Sequence, residues 1–285
     1  MNGAETRAQG AAPENLRGRT LRQFVFSSAA LTILVLASTA QSSARQNSAP
    51  GPIIPDRPGQ TNPPNVVPPG FVQFESGFLR QTQSENGTRS TDYLYNSTVI
   101  RAGVLDNCEL RMLVEYAGTH SDSGTRTSSV EGFHPLTVGT KLAVCTESGA
   151  RPQSALDVEF TLPFTGKNEF RPSFVSPSMI FLMQNTLTGT LTLGYNLGVQ
   201  WDGDRPNRTG VYSFALNAAA TERLGFSVEW YGFSTEQERP EYRADISAAY
   251  LMANNLQADC SAGMGLNGTA PVRFVAFGLA WRIPS

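Results

Sequence analysis

From Phe71 to the C-terminus, apolar and polar residues alternate along most of the chain with a period of two. Segment 190–201, TLTLGYNLGVQW, shows the pattern most clearly: Leu, Tyr, Val and Trp fill every second position, and Thr, Gly, Asn and Gln fill the others. Successive side chains of a β-strand point to opposite faces of its sheet. The sequence therefore predicts strands with one apolar face and one polar face.

About twelve segments carry this pattern, and many of them are ten or more residues long. They are 71–82, 92–103, 108–118, 136–146, 155–162, 172–185, 188–201, 209–220, 222–234, 242–253, 255–266 and 273–283. An average strand has about 5–6 residues, whereas a tilted strand that crosses a bilayer needs about 9–11. The length of the segments favours strands that span a membrane.

The connections between these segments alternate in length. Short ones fall at 105–107, 185–187, 221 and 254, with one of middling length on the same side at 147–154, and longer polar ones fall at 83–91, 119–135, 163–171, 202–208, 235–241 and 267–272. Short turns at one end, long loops at the other and an even number of strands are typical of outer-membrane barrels. A soluble β-sandwich would also alternate, but usually with shorter strands and without this asymmetry.

We therefore predict an all-β fold for residues 70–285, a transmembrane antiparallel β-barrel of about 12 strands with both termini on the periplasmic side. Lipid cannot hydrogen-bond to the backbone, so only helices and closed barrels cross it. Beyond the first forty residues, no apolar run reaches the ~18 residues of a helical span.

The first forty residues have the features of a secretory signal. Residues 24–38, FVFSSAALTILVLAS, are nearly all apolar or small, arginines precede them, and the small residues of STAQSSA follow. A basic stretch, a short apolar core and a small-residue exit are typical of a cleaved signal peptide. The alternative is a membrane anchor, for which the run is shorter than the ~20 residues that a bilayer requires. We predict export to the outer membrane, with residues 1–40 as the signal and cleavage after Ala40 or Ala44.

Residues 41–69, which we call the leader, are rich in Ser, Gln, Asn, Pro and Gly. Proline fixes φ and removes a backbone donor, so this stretch cannot join the interior of a sheet. Between the prolines stand Asp56 and Arg57, a charged pair that a spacer does not require. We predict that the leader lies in the periplasmic mouth of the barrel and partly plugs the lumen through Asp56 and Arg57.

Composition narrows the classes of partner. Charged residues make up 16% of the chain, against about 25% in ordinary soluble domains. The net charge is −2 and no basic block occurs, so nucleic acid is not an expected partner.

The three cysteines lack metal-site spacing, and we expect no metal and no cofactor. In an oxidising compartment Cys108 and Cys145 could pair, although alternation places them on opposite faces; the sequence leaves this open.

Several short motifs follow the order of those in one family. They are Asp56-Arg57-Pro58 with Gln60-Thr61, Pro69-Gly70 with Gln73, Glu75 and Gly77, Arg101-x-Gly103 with Asp106, Glu109, Leu110 and Arg111, and the closing Gly278-Leu279-Ala280-Trp281-Arg282. From about residue 55 to the C-terminus, the chain resembles the outer-membrane transporters named for the MetA pathway of phenol degradation. The resemblance implies passage of small organic compounds, aromatic or hydrophobic ones among them. We expect outer-membrane lipid, such solutes and, during insertion, the barrel-assembly machinery as partners.

If the apolar faces contact lipid, the charged residues of the polar faces point into the lumen. The predicted solute path is lined by Glu75, Arg111, Glu115, Asp157, Glu159, Arg223, Glu229, Arg243, Asp245 and Asp259. Charged side chains filter solutes in pores. The same acids and bases could instead pair and fill the lumen, because buried charges need partners and such a barrel is narrower than a 16-stranded porin. A structural or interaction barrel with an occluded lumen is therefore the alternative function.

The two histidines and the aromatic residues of the apolar faces are further functional candidates. His120 and His134 lie in the predicted loop 119–135 among several serines, but a flexible loop positions catalytic groups poorly. We predict no catalytic residue and no enzymatic activity. The tryptophans and several tyrosines of the apolar faces suit an aromatic girdle at the membrane interface, or the core of a sandwich if the barrel prediction fails.

Overall fold

The computed structural model describes residues 50–85, 88–124, 126–267 and 272–285. The predicted signal and the first part of the leader, residues 41–49, lie outside the described residues. Within the described ranges, no helix is long and apolar enough to cross a bilayer.

Thirteen strands form in the part of the chain that the structure describes. They are β1 (Phe71–Glu85), β2 (Thr88–Leu105), β3 (Cys108–Asp122), β4 (Thr127–Phe133), β5 (Thr137–Cys145), β6 (Gln153–Thr161), β7 (Ser176–Thr186), β8 (Leu191–Trp201), β9 (Arg208–Ala219), β10 (Leu224–Thr235), β11 (Glu241–Ala253), β12 (Leu256–Gly265) and β13 (Val272–Pro284). One turn of 3₁₀ helix, Asn168–Phe170, lies between β6 and β7.

Twelve of these strands close into a ring in which every strand is antiparallel to its neighbours. β1 pairs with both β2 and β13, so the first and last strands meet. β4 is the additional strand: it pairs with one half of β3 while β5 pairs with the other half, so β4 and β5 follow each other along the same edge. The prediction of an all-β antiparallel barrel of about 12 strands is confirmed.

The wall of the barrel is polar inside and apolar outside. Leu197, Ile246 and Phe277 expose 62%, 63% and 58% of their surface, whereas their chain neighbours Asn196 and Asp245 expose only 5% each. Alternating side chains produce this division because successive residues of each strand face opposite sides. An exposed apolar band around a closed barrel fits a hydrocarbon environment.

Aromatic side chains cluster on the outer face of β9, β10 and β11. The ring of Trp230 lies 5.4 Å from that of Tyr212, 6.0 Å from that of Phe214 and 5.9 Å from that of Tyr242. Such amphipathic rings suit the boundary between lipid and water.

Two predicted loops are wrong. In place of a loop at 83–91, β1 and β2 pair as far as Glu85 and Thr88, and in place of a loop at 119–135, β3 continues to Asp122 and pairs with β4. The Ser/Thr-rich composition of these stretches does not prevent pairing, since Thr and Tyr favour strands. A hairpin that projects into water can also be polar on both faces, so the alternation that marks the other strands is absent here.

β4 and β5 are separated by the short break His134–Pro135–Leu136, where proline has no N–H for the ladder. The long connection after β6 is attached to this break. The backbone N–H of Leu136 donates to Thr165 Oγ1 at 2.8 Å, and that of Leu162 donates to the carbonyl of Leu136 at 2.9 Å. Residues 162–175 are thereby tied to the long-loop end of the ring.

All three cysteines are free. A register shift between Ala143 and Cys145 changes the alternation at the end of β5, and the thiol of Cys145 lies 2.9 Å from Ser154 Oγ. The thiol of Cys108 lies 3.4 Å from Thr140 Oγ1.

Candidate functional site

The described part of the leader, residues 50–69, lies inside the ring at the end of the barrel that carries the short turns, which we call the short-turn end. Its first residues are attached there through the backbone. The carbonyl of Gly51 accepts a hydrogen bond from Arg282 on β13, and the N–H of Ile53 donates to Asn254 in the β11–β12 turn at 2.8 Å. Ile53 and Val67 are only 4% and 2% exposed.

The carboxylate of Asp56 binds three cations of the inner wall. Lys141 Nζ donates to Asp56 Oδ1 at 2.6 Å, and Arg111 Nη1 donates to Asp56 Oδ2 at 2.7 Å. Arg101 Nη1 lies 3.1 Å from Asp56 Oδ1. These cations come from β2, β3 and β5, so one leader side chain joins three adjacent strands.

Burial alone would raise the pKa of the Asp56 carboxyl, because a low-dielectric environment disfavours the charged form. The charges of Arg101, Lys141 and Arg111 outweigh that effect and hold the pKa well below its ordinary value. Asp56 therefore stays ionised throughout the neutral range.

Acidic side chains of the wall complete this network. Glu75 Oε2 accepts the backbone N–H groups of Asp56 and Arg57 at 2.9 and 3.2 Å. Glu109 accepts from Arg101 Nε at 2.7 Å, from Arg101 Nη2 at 2.9 Å and from Arg111 Nη1 at 3.0 Å. Both carboxylates are fully buried, and each is paired, which buried charges require.

Arg57 occupies a slot that two glycines leave in the wall. Gly77 of β1 and Gly278 of β13 are direct cross-strand partners, and a Cβ at either position would overlap the guanidinium of Arg57. From this slot Arg57 Nη2 and Nε donate to the two oxygens of Asp259 on β12, at 3.1 and 3.3 Å. The absence of two Cβ atoms makes room for this bidentate ion pair.

The leader then reaches the opposite wall. Glu229 of β10 accepts the backbone N–H of Gln60 at 2.7 Å and also that of Thr61. Thr61 Oγ1 donates to Ser213 Oγ of β9 at 2.8 Å. In the ring of twelve, β10 lies six strands from β3 in either direction, so the chain crosses the whole lumen between Asp56 and Thr61.

After Thr61 the leader returns to the side from which it came. The carbonyls of Pro63 and Asn65 accept from Lys141 and Arg101 at 3.2 and 2.9 Å. The backbone N–H of Val67 donates to Glu109 Oε2 at 2.6 Å. The described part of the leader therefore forms a loop across the lumen: it leaves the wall of β2–β5 at Asp56, turns at β9–β10 and returns to β2–β5 at Pro63 to Val67.

The structure brings most of the predicted solute-path residues to the inner wall. Glu115 accepts from Ser97 Oγ at 2.7 Å, Glu159 accepts from Arg111 Nε at 2.9 Å, and Arg243 donates to Glu241 at 2.8 Å. Asp157, Glu229, Asp245 and Asp259 are buried. Arg223 is different, because it lies in the exposed turn before β10 and is not part of this cluster.

Arg101 and Lys141 are central to the network, although sequence reasoning did not assign them to the lumen. Segment 92–103 can be phased either way, so the face of Arg101 was ambiguous. Lys141 does alternate with apolar residues of β5, and this was the signal that could have identified it. The two histidines make other contacts: the ring of His134 lies 4.4 Å from that of Phe170, and the ring of His120 lies 5.5 Å from that of Tyr93.

Two cavities are lined partly by residues of the predicted solute path. The lower cavity, of about 370 Å³, lies between the leader and the inner faces of β8–β12. The mouth cavity, of about 470 Å³, lies at the long-loop end between β3, β5–β8 and residues 170–172 and 202–204. Both volumes fall in the range of small-molecule sites. In the described ranges, no group of three or more His, Cys, Asp or Glu is arranged to hold a metal ion.

Comparison with known proteins decides the family. A family model described as "Putative MetA-pathway of phenol degradation" matches residues 55–283, most of the chain. The chain belongs to this family. The match begins within the leader, at the residue before Asp56, so it includes Asp56 and Arg57. A search of curated sequences finds no match.

Solved structures support the fold of this MetA-pathway family member. An outer-membrane channel from Pseudomonas putida F1 aligns with a TM-score of 0.63 at 12% identity, over 80% of this chain and 99% of that chain. The transport unit of the autotransporter AIDA-I from Escherichia coli aligns with a TM-score of 0.53 at 8% identity, over 89% and 97%. At these identities the likeness establishes the fold, that of outer-membrane β-barrels.

Proposed function

We propose that this protein is an outer-membrane channel for small organic compounds, and that its leader plugs the periplasmic end of the lumen. The single observation that carries the proposal is the course of the leader, which crosses from Asp56 at β2–β5 to Thr61 at β9–β10 and back. A barrel built only as a scaffold does not need a segment held inside by ion pairs on several strands.

The side of the plug follows from the loops. Short turns of outer-membrane barrels face the periplasm and longer loops face the outside. The leader binds at the short-turn end, where Ile53 contacts Asn254 of a two-residue turn. An exported chain with residues 1–40 as its cleaved signal would present this segment on the periplasmic side, ready to enter the lumen.

The solute class is supported by the family and by the cavities. The MetA-pathway description associates the family with phenol degradation, and the two cavities of about 370 and 470 Å³ suit molecules of small size. Outer-membrane lipid surrounds the apolar band in this proposal, and the barrel-assembly machinery inserts the chain. The protein acts as a passive conduit and not as an enzyme.

The alternative, a structural or interaction barrel with an occluded lumen, has one observation in its favour. The wall of β1–β6 is filled by a continuous ion-pair network that leaves little free space. The two functions differ in one measurable property, because only a channel passes solute.

Proteoliposome swelling with purified, folded protein tests the proposal. We expect slow solute flux through the intact chain, and faster flux and higher conductance after deletion of residues 45–68. Flux that is unchanged by the deletion would make the leader a spacer, and no flux from either protein would overturn the channel. Different gel mobilities of heated and unheated samples, which a closed barrel gives, verify that both variants are folded.

A further inference from the structure

The inner wall carries charged side chains on most of its strands, but the inner faces of the neighbouring strands β7, β8 and β9 carry none. The ion pairs gather on β1, β2, β3, β5 and β6, where Arg101, Arg111 and Lys141 meet their carboxylates. The inner face of β8 carries no charge: its residues are Thr192, Gly194, Asn196, Gly198 and Gln200. β8 lies directly across the ring from β1, six strands away in either direction.

This uncharged face connects the two cavities. Gln200, near the long-loop end of β8, lines the mouth cavity. Thr192 and Gly194, near the short-turn end of the same strand, line the lower cavity. Asn196 lies between them on the same face, so one strand runs from one cavity to the other.

The boundary between the cavities on this strand is a contact with the leader. In the amide orientation that satisfies both of its atoms, Asn196 accepts the backbone N–H of Asn62 at 2.7 Å and donates to the carbonyl of Asn62 at 3.2 Å. Asn196 is only 5% exposed. Gly194 and Thr61 meet just below, where a Cβ on the glycine would lie 3.1 Å from Thr61 Cγ2.

The charged groups that line the mouth cavity already have partners in the part of the chain that the structure describes. Glu115 is bonded to Ser97, and Glu159 to Arg111. Asp202 accepts the N–H groups of Asp204 and Arg205 at 2.8 and 3.0 Å, and Asp204 accepts the N–H and hydroxyl of Ser173 at 2.9 Å. Arg111 neutralises Glu159, whereas Glu115, Asp202 and Asp204 are fixed by these neutral donors and keep a negative charge, which disfavours entry of an anion.

The charged residues that line the lower cavity also have partners. Of its charged lining residues, Asp56 is bound to three cations, Arg57 to Asp259, and Glu229 to backbone N–H groups of the leader. What remains free along the route is hydroxyl, amide and small side chains. These groups can replace the hydration of an uncharged solute but cannot compensate a charge.

We propose that solutes cross the barrel along the inner face of β8, from the mouth cavity to the lower cavity, and that the route selects small uncharged compounds with hydrogen-bonding groups. The proposal rests on the channel function above and deepens it. The Asn62–Asn196 contact closes the route, and passage requires the leader to separate from β8 at this point. The ion-pair network on the other side anchors the leader and conducts nothing.

The test compares one glutamine on each side of the lumen. Gln200 is on β8, whereas Gln81 is on β1, directly opposite, where its Oε1 accepts from Arg243 at 3.4 Å and neither cavity includes it. Cys108, Cys145 and Cys260 are first replaced by serine. Gln200→Cys or Gln81→Cys is then introduced, and the folded, reconstituted protein is treated with a bulky methanethiosulfonate reagent, with labelling checked by mass spectrometry.

Swelling is measured with arabinose, an uncharged polyol, and with gluconate, an organic anion. We expect arabinose to enter several-fold faster than gluconate, modification at position 200 to slow arabinose several-fold, and modification at position 81 to change little. Asn196→Ala should raise arabinose flux, because the contact with Asn62 is lost.

Each contrary result has a distinct meaning. A block at position 81 but not at 200, or a thiol at 200 that the reagent does not label, would overturn the route along β8. Equal rates for gluconate and arabinose would overturn the selection of uncharged compounds. If no solute enters through any unmodified variant, including the chain without its leader, the channel function itself fails.

Discussion

Asp56 and Arg57 are adjacent in the chain, yet they bind opposite charges on different parts of the wall. Asp56 neutralises cations of β2, β3 and β5, whereas Arg57 pairs with Asp259 of β12. Because neighbouring residues of opposite sign fix the leader at two places, the orientation of the segment is determined as well as its position. Removing one partner of such a buried pair leaves the other charge uncompensated.

Asp56→Asn should loosen the leader at its main anchor. The substitution leaves Arg101, Arg111 and Lys141 without their shared anion, and losing one partner of a buried pair costs on the order of 3 kcal/mol. We expect higher planar-bilayer conductance than in the intact chain. Asp106→Asn, in the exposed β2–β3 turn, is the control and should change nothing. Equal conductance of the two variants would contradict this role of Asp56.

The contribution of Asp56 should also depend on pH in one direction. Its pKa in the folded chain lies below the ordinary value of 3.8, so its stabilising contribution is complete above that value and is lost as the pH falls below it. The conductance difference between Asp56→Asn and the intact chain should therefore be constant from about pH 7 to pH 5 and shrink in stronger acid. A difference that grows on acidification would contradict the ion-pair assignment.

Gly77→Ala should displace Arg57 from its slot. A Cβ at Gly77 overlaps the guanidinium, so the ion pair with Asp259 must break or the leader must shift. We expect faster proteolysis of the leader in reconstituted protein and a raised solute flux. Gly210→Ala on β9 is the matched control, because its Cβ would meet only Ser234, whose backbone oxygen would lie 3.7 Å away. The same behaviour in both variants would show that the slot is unimportant.

At the scale of the structural elements, the long connection 162–175 contains one turn of 3₁₀ helix and is held by several specific contacts. Its Thr165 hydroxyl accepts from the N–H of Leu136 and donates to the carbonyl of Leu162, both at 2.8 Å. Lys167 N–H donates to the carbonyl of Phe133 at 2.8 Å. This connection therefore provides hydrogen-bond partners for the backbone at the break between β4 and β5. The same connection borders the mouth cavity.

Thr165→Val should release this connection without affecting the ring. The N–H of Leu136 loses its partner, and an unsatisfied buried donor costs about 1–3 kcal/mol. We expect faster hydrogen exchange at residues 134–136 and 162–170, with little change in β8–β13. Thr165→Ser keeps the hydroxyl and should retain the protection; if it exchanges as fast as the valine variant, the hydroxyl is not the link.

The elements that could be predicted were those with a lipid-facing side. β8 alternates without exception and β10 alternates from Leu224 to Trp230, because one face points outward and the other into the lumen. The water-facing ends of β1, β2 and β3, and the whole of β4, escaped prediction because polar side chains are tolerated on both of their faces. Their pairing is decided by neighbouring strands, which a local pattern does not record.

At the scale of the whole molecule, a closed barrel and an internal segment depend on each other. A 12-stranded ring is wider than one that side chains fill and narrower than an open porin. Here the wall charges of β1–β6 are satisfied partly by one another and partly by the leader, which supplies both a carboxylate and backbone carbonyls. The described part of the leader thus supplies partners for charged groups of the inner wall.

The prolines and the charged pair of the leader predicted a segment outside the sheet that meets the barrel lumen, but they did not predict its partners. Which cations meet Asp56 depends on the ring bringing β2, β3 and β5 together, and the glycine slot depends on the register between β1 and β13. The sequence did not identify the inner face of β8 as functional, because its Thr, Gly, Asn and Gln residues carry no charge. A role for this face in solute passage can be inferred only from the structure, which shows one cavity at each end of it.

The central claim, that the leader controls passage, is tested most directly by locking the leader in place. Thr61 Oγ1 and Ser213 Oγ lie 2.8 Å apart, so Thr61→Cys with Ser213→Cys, in a chain whose native cysteines are serines, brings two thiols together. We expect the oxidised protein to show strongly reduced solute flux in proteoliposomes, and a reductant to restore the flux in the same sample. Equal flux before and after reduction, with the cross-link verified, would contradict the account.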